Sequence, residues 1–383
     1  MPMSASAPAA TRPAPRTKPP FRADHVGSLL RPKLLQEARA RWKAGTLDHA
    51  GLREVEDRCI RAAIAKQEEI GLRAATDGEY RRAYWHYDFV AGLDGVELYV
   101  PEQKIQFQGG VPLGHALRVT GKIGWSHPVM IDDYRFVAGA VGSAVPKQTI
   151  PSPSVVHFRG GRRAIDAQTY PEMEPFFADL GEAYHKAVAA FAKAGCRYLQ
   201  LDEVNLAYLC DPAQVESLKA RGEHVEGLVG IYADMLNRAI AGRVPGMTIS
   251  MHLCRGNFRS TWVAQGGYEP VAEVLFNQID ADAYFMEYDT ERAGGFEPLR
   301  FVPRGHKVVV LGLVTSKSGA LESKDELKRR IDAAAKYLPL EQLALSPQCG
   351  FASTEEGNTL TEEEQWAKLR LCVEVAREVW GGV

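Results

Sequence analysis

The sequence predicts an α/β fold, a single (β/α)8 TIM barrel with a β-hairpin-containing insertion after its second strand. Three observations carry the prediction. Eight short apolar runs recur along the 383 residues, most of them followed by a helical pattern. One run, 307–313, is a near-continuous Val/Leu series, as expected of a strand buried on both faces. Polar and soft residues stand where the runs end, and in a barrel of this kind that face carries the active site.

Taken in order, residues 21–28 read as the first strand, ending in a Gly27-Ser28 turn, and Pro32 opens a helix. Leu52, Val55, Cys59, Ile60, Ala63, Ile64 and Ile70 keep helical spacing over 48–70, and Gly71 ends that helix. The second strand is 74–79. Residues 93–143 break the strand–helix repeat. There, 98–100, 105–107 and 117–123 read as hairpin strands with Gly109-Gly110 as a turn, which defines the insertion. The third strand, 147–154, is broken at its end by Pro151 and Pro153. A helix over 171–194 leads to the fourth strand, 198–203. A helix near 223–241 precedes the fifth strand, 247–254, and one near 268–279 precedes the sixth, 284–287. Ser323 with Glu326 predicts a capping box for a helix over 324–336, and Thr361 with Glu364 one for 362–380. The eighth strand ends at Cys349.

Charged residues are 25% and hydrophobic residues 45%, the mix of a globular chain. The net charge of −2 gives no reason to expect nucleic acid or an anionic membrane surface as partner. No apolar run approaches the roughly 20 residues of a membrane span. Residues 1–20, rich in Ala, Pro and basic residues, read as a disordered tail. The six cysteines are dispersed, which argues against a disulfide framework and for a reducing, cytoplasmic setting. Oligomeric state is not legible.

The predicted strand ends carry Ser28, Glu79, Ser152, Asp202 with Glu203, His252 with Cys254, Glu287, Lys317 just beyond its strand, and Cys349. In a strand, residues two apart share a face, so His252 and Cys254 can address one point. Imidazole plus thiolate suits zinc, and Cys349 supplies a second sulfur after another apolar run.

With these residues in place, the chain from about residue 21 onward resembles the catalytic half of cobalamin-independent methionine synthase, in its single-barrel form. The carriers are Gly27-Ser28, Asp77-Gly78-Glu79, Leu201-Asp202-Glu203, His252-Leu253-Cys254, Glu287 and Pro347-Gln348-Cys349-Gly350. The resemblance implies Zn2+ held by His252, Cys254, Glu287 and Cys349. It also implies that Gly27, Ser28, Glu79 and Asp202 hold the amino acid part of homocysteine. The implied activity is methyl transfer to that thiol, giving methionine, from a folate or corrinoid donor.

Two departures bear on the donor. Where the family has Gly-Pro-Val-Thr and then a tryptophan, this chain has Ser152-Pro153-Ser154-Val155 and no tryptophan. Where the family has Asp-x-His after the seventh strand, it has Thr315 and Lys317. Lys317, Ser152 and Glu203 are therefore candidates for the donor side. Two other readings stay open: zinc-dependent opening of an epoxide by coenzyme M, and a non-catalytic binding barrel with a structural zinc.

Overall fold

A computed structural model of the chain describes residues 15–100, 105–106, 112–113 and 115–383. Its strands are β1 (Ala74–Ala75), β2 (Asp94–Tyr99), β3 (Ile105–Gln106), β4 (Pro112–Leu113), β5 (Ala116–Gly124), β6 (Val145–Pro146), β7 (Gln148–Pro151), β8 (Tyr198–Asp202), β9 (Thr248–Leu253), β10 (Ala283–Glu287), β11 (Val308–Val314) and β12 (Leu343–Pro347). Strands β7 to β12 form one six-stranded sheet in sequence order, and every pairing is parallel. Helices Met173–Lys193, Leu228–Ile240, Glu269–Asn277 and Lys324–Ala335 connect most of them, as the strand–helix alternation requires. Strands β8, β10, β11 and β12 are buried at every residue, which is why they read as apolar runs without alternation.

The expected closure by eight regular strands is not made by ladder pairing. Residues 21–28 are not a strand. They touch β12 through one bridge, Ala23 to Leu345, where Asp24 N–H donates to the Leu345 carbonyl at 3.1 Å and Leu345 N–H to the Arg22 carbonyl at 2.9 Å. The second strand shrinks to β1, which pairs with β6 outside the main sheet. The reason is competition for backbone groups. Lys147 Nζ donates to the His25 carbonyl (2.5 Å), Gln200 Nε2 to Val26 (2.7 Å) and Thr76 Oγ1 to Gly27 (2.6 Å). Gln67 likewise takes both backbone groups of Thr76 at 3.0 Å. Each bond satisfies a buried backbone group that a ladder would otherwise use.

The insertion contains the antiparallel pairs β2–β5 and β3–β4. The expected turn at Gly109-Gly110, and Phe107, lie outside the described residues, as do residues 1–14 of the expected tail. Helix Ile131–Ala140, absent from the sequence reading, buries Ile131, Tyr134 and Val137. Prolines end β7 as expected, and a short helix, Ser154–Phe158, follows. The capping box at Thr361 and Glu364 is present. The one expected at Ser323 is not: the Ser323 side chain makes no cap bond, and the Glu326 carboxylate pairs with Arg329 instead of reaching back. The eighth strand stops at Pro347, two residues before Cys349. None of the described helices is long and apolar enough to cross a membrane.

Candidate metal and thiol-binding site

Strand β9 delivers His252 from its interior and Cys254 from the first residue beyond its end. The same-face spacing holds: the ligand atoms of His252, Cys254 and Cys349 all lie within 4.8 Å of one another, and all three residues are buried. Cys349 arrives through a tightly held segment. Gln348 N–H donates to the Val314 carbonyl at 2.8 Å, and Gln348 Oε1 accepts from Ser316 N–H (2.8 Å) and Oγ (2.6 Å). The two sulfurs are 3.3 Å apart, within hydrogen-bond reach and not joined in a disulfide. Neither ring nitrogen of His252 is well hydrogen-bonded among the described residues, and its one hydrogen-bonding neighbour there is the Cys254 thiol. A buried imidazole whose only such neighbour is a weak thiol donor is costly unless something else occupies its lone pair.

The charge pattern points the same way. The hydrogen bond with Cys349, together with burial, pushes the Cys254 thiol well above its ordinary value. Burial lowers the His252 pKa, but Cys254, Asp202 and Glu287 outweigh it and the net direction is up. A cation placed between two thiolates and an imidazole would reverse both pressures, since metal coordination deprotonates a thiol. One soft nitrogen and two sulfurs fit zinc.

Ser28, Glu79 and Asp202 share a pocket with these three residues. Glu79 sits at a left-handed φ of 59°, and its Oε1 accepts from Thr149 Oγ1 at 2.9 Å, while its buried Oε2 has no hydrogen-bond partner. Asp202 Oδ1 accepts from Gln200 Nε2 at 2.7 Å. Burial, and next the Glu79 charge, raise the Asp202 carboxyl to about 7. Two carboxylates left facing each other in this way are a natural receptor for an ammonium group. Gly27 makes the turn possible. Its φ is +139°, and a Cβ there would lie 2.7 Å from Thr149 Cγ2. Gly27→Ala is expected to cost about 1–3 kcal/mol, read as a lower urea midpoint at unchanged slope.

The remaining predicted residues lie elsewhere. Glu287, at the end of β10, is fully buried, and its carboxylate is outside the three-residue cluster. It pairs with Arg292 and accepts from Arg255 N–H at 3.0 Å. Burial raises its pKa, but Lys317, Arg292 and Arg255 outweigh that and hold it below the usual carboxylate range. The amine of Lys317 is buried without a hydrogen bond and acts on Glu287 and Asp289 rather than lining the pocket. Ser152 and Glu203 are bonded to each other. Glu203 also accepts from Ser154 Oγ (2.6 Å), Asn205 N–H (2.8 Å) and Leu206 N–H (3.0 Å), which makes it the anchor of the next turn, away from the pocket lining.

Several residues escaped the sequence reading. Asn257 Nδ2 donates to the Gly350 carbonyl at 2.7 Å, tying the loop after β9 to the one after β12. Asp289, buried beside Glu287, has its carboxyl raised by burial and by that neighbour. His86, Arg159 and Tyr208 line the pocket. The aromatic run Tyr84-Trp85-His86-Tyr87 was a visible signal for His86; nothing local marked Arg159.

A family model described as the cobalamin-independent synthase catalytic domain matches residues 21–378. The Bacillus subtilis protein YxjH is 50% identical over 364 residues, covering 95% of this chain and 96% of its own. A structural-genomics structure from Listeria monocytogenes is 40% identical and superposes with a TM-score of 0.76, covering 97% of this chain and 100% of that one. A B12-independent methionine synthase from Shewanella, solved with selenomethionine, shares the fold at 19% identity, a TM-score of 0.70, and 94% and 97% coverage. The chain belongs to the cobalamin-independent synthase catalytic-domain family.

Proposed function

We propose that this chain is a zinc-dependent thiol methyltransferase that methylates homocysteine to methionine. The observation that supports it is the sharing of one pocket by His252, Cys254 and Cys349 with Ser28, Glu79 and Asp202. Zinc bound there would supply a deprotonated, positioned thiolate at neutral pH, where a free thiol with a pKa of about 8.5 is mostly protonated. The chain's own residues do the rest. Asp202 and Glu79 receive the substrate ammonium, and the Gly27-Ser28 turn orients the amino acid. The buried lining excludes water, which strengthens those contacts. Glu287, kept ionised by its cationic neighbours, is the candidate fourth ligand in this reading, and Arg292 is the partner it would have to leave. Lys317 acts by holding that carboxylate cluster.

Coenzyme M has no ammonium group for the two buried carboxylates to receive, which ranks epoxide opening second. A structural zinc is usually enclosed by four tight Cys or His ligands, and here three of them face a pocket. The six cysteines, all unpaired, suit a reducing compartment, and a cytoplasmic location is part of this reading.

The test is a cross of homocysteine and coenzyme M against 5-methyltetrahydrofolate, methylcobalamin and a small epoxide, with zinc-loaded protein and thiol loss as readout. Methionine formation is expected from homocysteine. Thiol loss only with coenzyme M and the epoxide would replace the proposal.

A further inference from the structure

The carboxylate of Glu287 is held from two sides. Its Oε2 accepts from Arg255 N–H at 3.0 Å, the amide directly after Cys254, so one oxygen stands beside the metal corner. Its Oε1 is paired with the Arg292 guanidinium. The pair is closed off from water: the Glu287 side chain is 0% exposed and that of Arg292 is 10% exposed. Arg292 does not depend on Glu287 for its position. Its Nη1 donates to the Ala264 carbonyl at 3.3 Å, and its backbone carbonyl accepts from Gly266 N–H at 3.0 Å. Its guanidinium lies over the Trp262 ring, 5.0 Å from the centroid. These contacts all come from the segment between β9 and helix Glu269–Asn277. Asp289 Oδ1 is a second acid on the same guanidinium, at 3.7 Å. The seat for Glu287 is therefore fixed by its surroundings and outlasts the departure of the carboxylate. Lys317 adds positive charge to Glu287 and Asp289, but its amine makes no hydrogen bond among the described residues, so it does not fix an oxygen in one place. The metal corner itself gathers three ligand atoms, whereas zinc takes four.

We infer that Arg292 is a positioning residue that competes with the metal for Glu287 and so keeps the fourth coordination position open to the thiol sulfur. The inference rests on the thiol methyltransferase reading and adds the residue that sets the balance between metal and substrate. The physical reason is the cost of breaking a buried ion pair. Glu287 can turn to the metal corner only by giving up Arg292, and a desolvated pair of this kind is costly to separate. When Glu287 returns to Arg292 it regains that energy, at the moment the sulfur needs the position. One carboxylate links the two equilibria. A residue that stabilises its parked position therefore weakens metal binding and strengthens thiol binding.

The experiment measures two affinities: that of metal-free protein for zinc, by competition with a chromophoric chelator, and that of zinc-loaded protein for homocysteine, by calorimetric titration. The chains compared are the wild type, Arg292→Gln, Arg292→Lys, Glu287→Gln and the double variant Arg292→Gln with Glu287→Gln. Arg292→Gln is expected to bind zinc about tenfold or more tightly than the wild type, and homocysteine about tenfold or more weakly. The opposite signs matter, because a residue that merely supported the fold would weaken both. Arg292→Lys keeps the charge without the planar guanidinium and is expected to shift both affinities in the same directions by less. Should Arg292→Gln fail to fold, Arg292→Lys carries the same comparison. In the Glu287→Gln background, Arg292→Gln is expected to change zinc affinity by about threefold or less, since the carboxylate through which it acts is gone. Zinc binding that is unchanged or weaker in Arg292→Gln, an equal gain in the Glu287→Gln background, or unchanged homocysteine affinity would overturn the inference. Failure of homocysteine to bind the zinc-loaded wild type counts against the thiol reading instead. The zinc arm needs no thiol and then decides the role of Arg292 by itself.

Discussion

Cys349→Ser is expected to leave a folded protein that no longer holds zinc and alkylates homocysteine at least a thousandfold more slowly, about 4 kcal/mol in barrier. A hydroxyl is a far poorer zinc ligand than a thiolate, and only two of the three clustered ligands would remain. The fold should persist because Cys349 lies past the end of β12, and its neighbours are fixed by Gln348, Ser316 and Val314 rather than by the sulfur. Cys372→Ser is the control. That thiol is equally buried, within the last helix, Glu362–Trp380, and is no part of the cluster, so its loss should lower stability and leave zinc content at one per chain. Elemental analysis and circular dichroism on both variants decide the matter. Full zinc content in Cys349→Ser would show that the ligand is misassigned.

Asp202→Asn is expected to raise the homocysteine KM by about 10- to 150-fold, the equivalent of a charge-assisted hydrogen bond of about 1.5–3 kcal/mol. Zinc content should not change. The comparison substrate is 4-mercaptobutyrate, which is homocysteine without its amino group and should be indifferent to the substitution. The sign of the pH effect follows from the carboxyl of Asp202, raised to about 7 by burial and by Glu79. Above that pH the group is charged and receives the ammonium. As pH falls through 7 it takes up a proton, and homocysteine binding weakens. The variant should lose this dependence. An unchanged KM for homocysteine in Asp202→Asn would remove the ammonium from this end of the pocket.

The metal corner was legible in the sequence because it follows from strand periodicity: His252 and Cys254 are two apart at a strand end, and Cys349 follows another buried run. The acidic pair Glu79 and Asp202 was legible through the motif resemblance, and the pocket unites them. Closure of the barrel was misread. Apolar runs mark buried segments, but no pattern in residues 21–28 announces that Lys147 and Gln200 will take the carbonyls of His25 and Val26. Lys317, Ser152 and Glu203 were placed at the correct end of the sheet, yet position along a strand does not say which way a long side chain turns. Glu203 turns into a web of hydroxyl and amide donors, and Lys317 turns toward Glu287.

The interrupted ladder divides the site mechanically. Asp202, His252 and Glu287 ride on the paired strands β8, β9 and β10, whereas Gly27, Ser28 and Glu79 ride on segments joined to the sheet by scattered bonds, such as Asp24 N–H to the Leu345 carbonyl of β12 and Gln200 Nε2 of β8 to the Val26 carbonyl, and to each other by Leu29 N–H to the Gly78 carbonyl. Local opening needs far less free energy along such a seam than across a continuous ladder. In hydrogen–deuterium exchange, the Asp24 and Leu29 amides should therefore exchange before those of β9 and β10. An amino acid bridging Glu79 and Asp202 would staple the seam shut and slow that exchange, so the breathing of one edge of the sheet becomes a readout of substrate occupancy that needs no turnover.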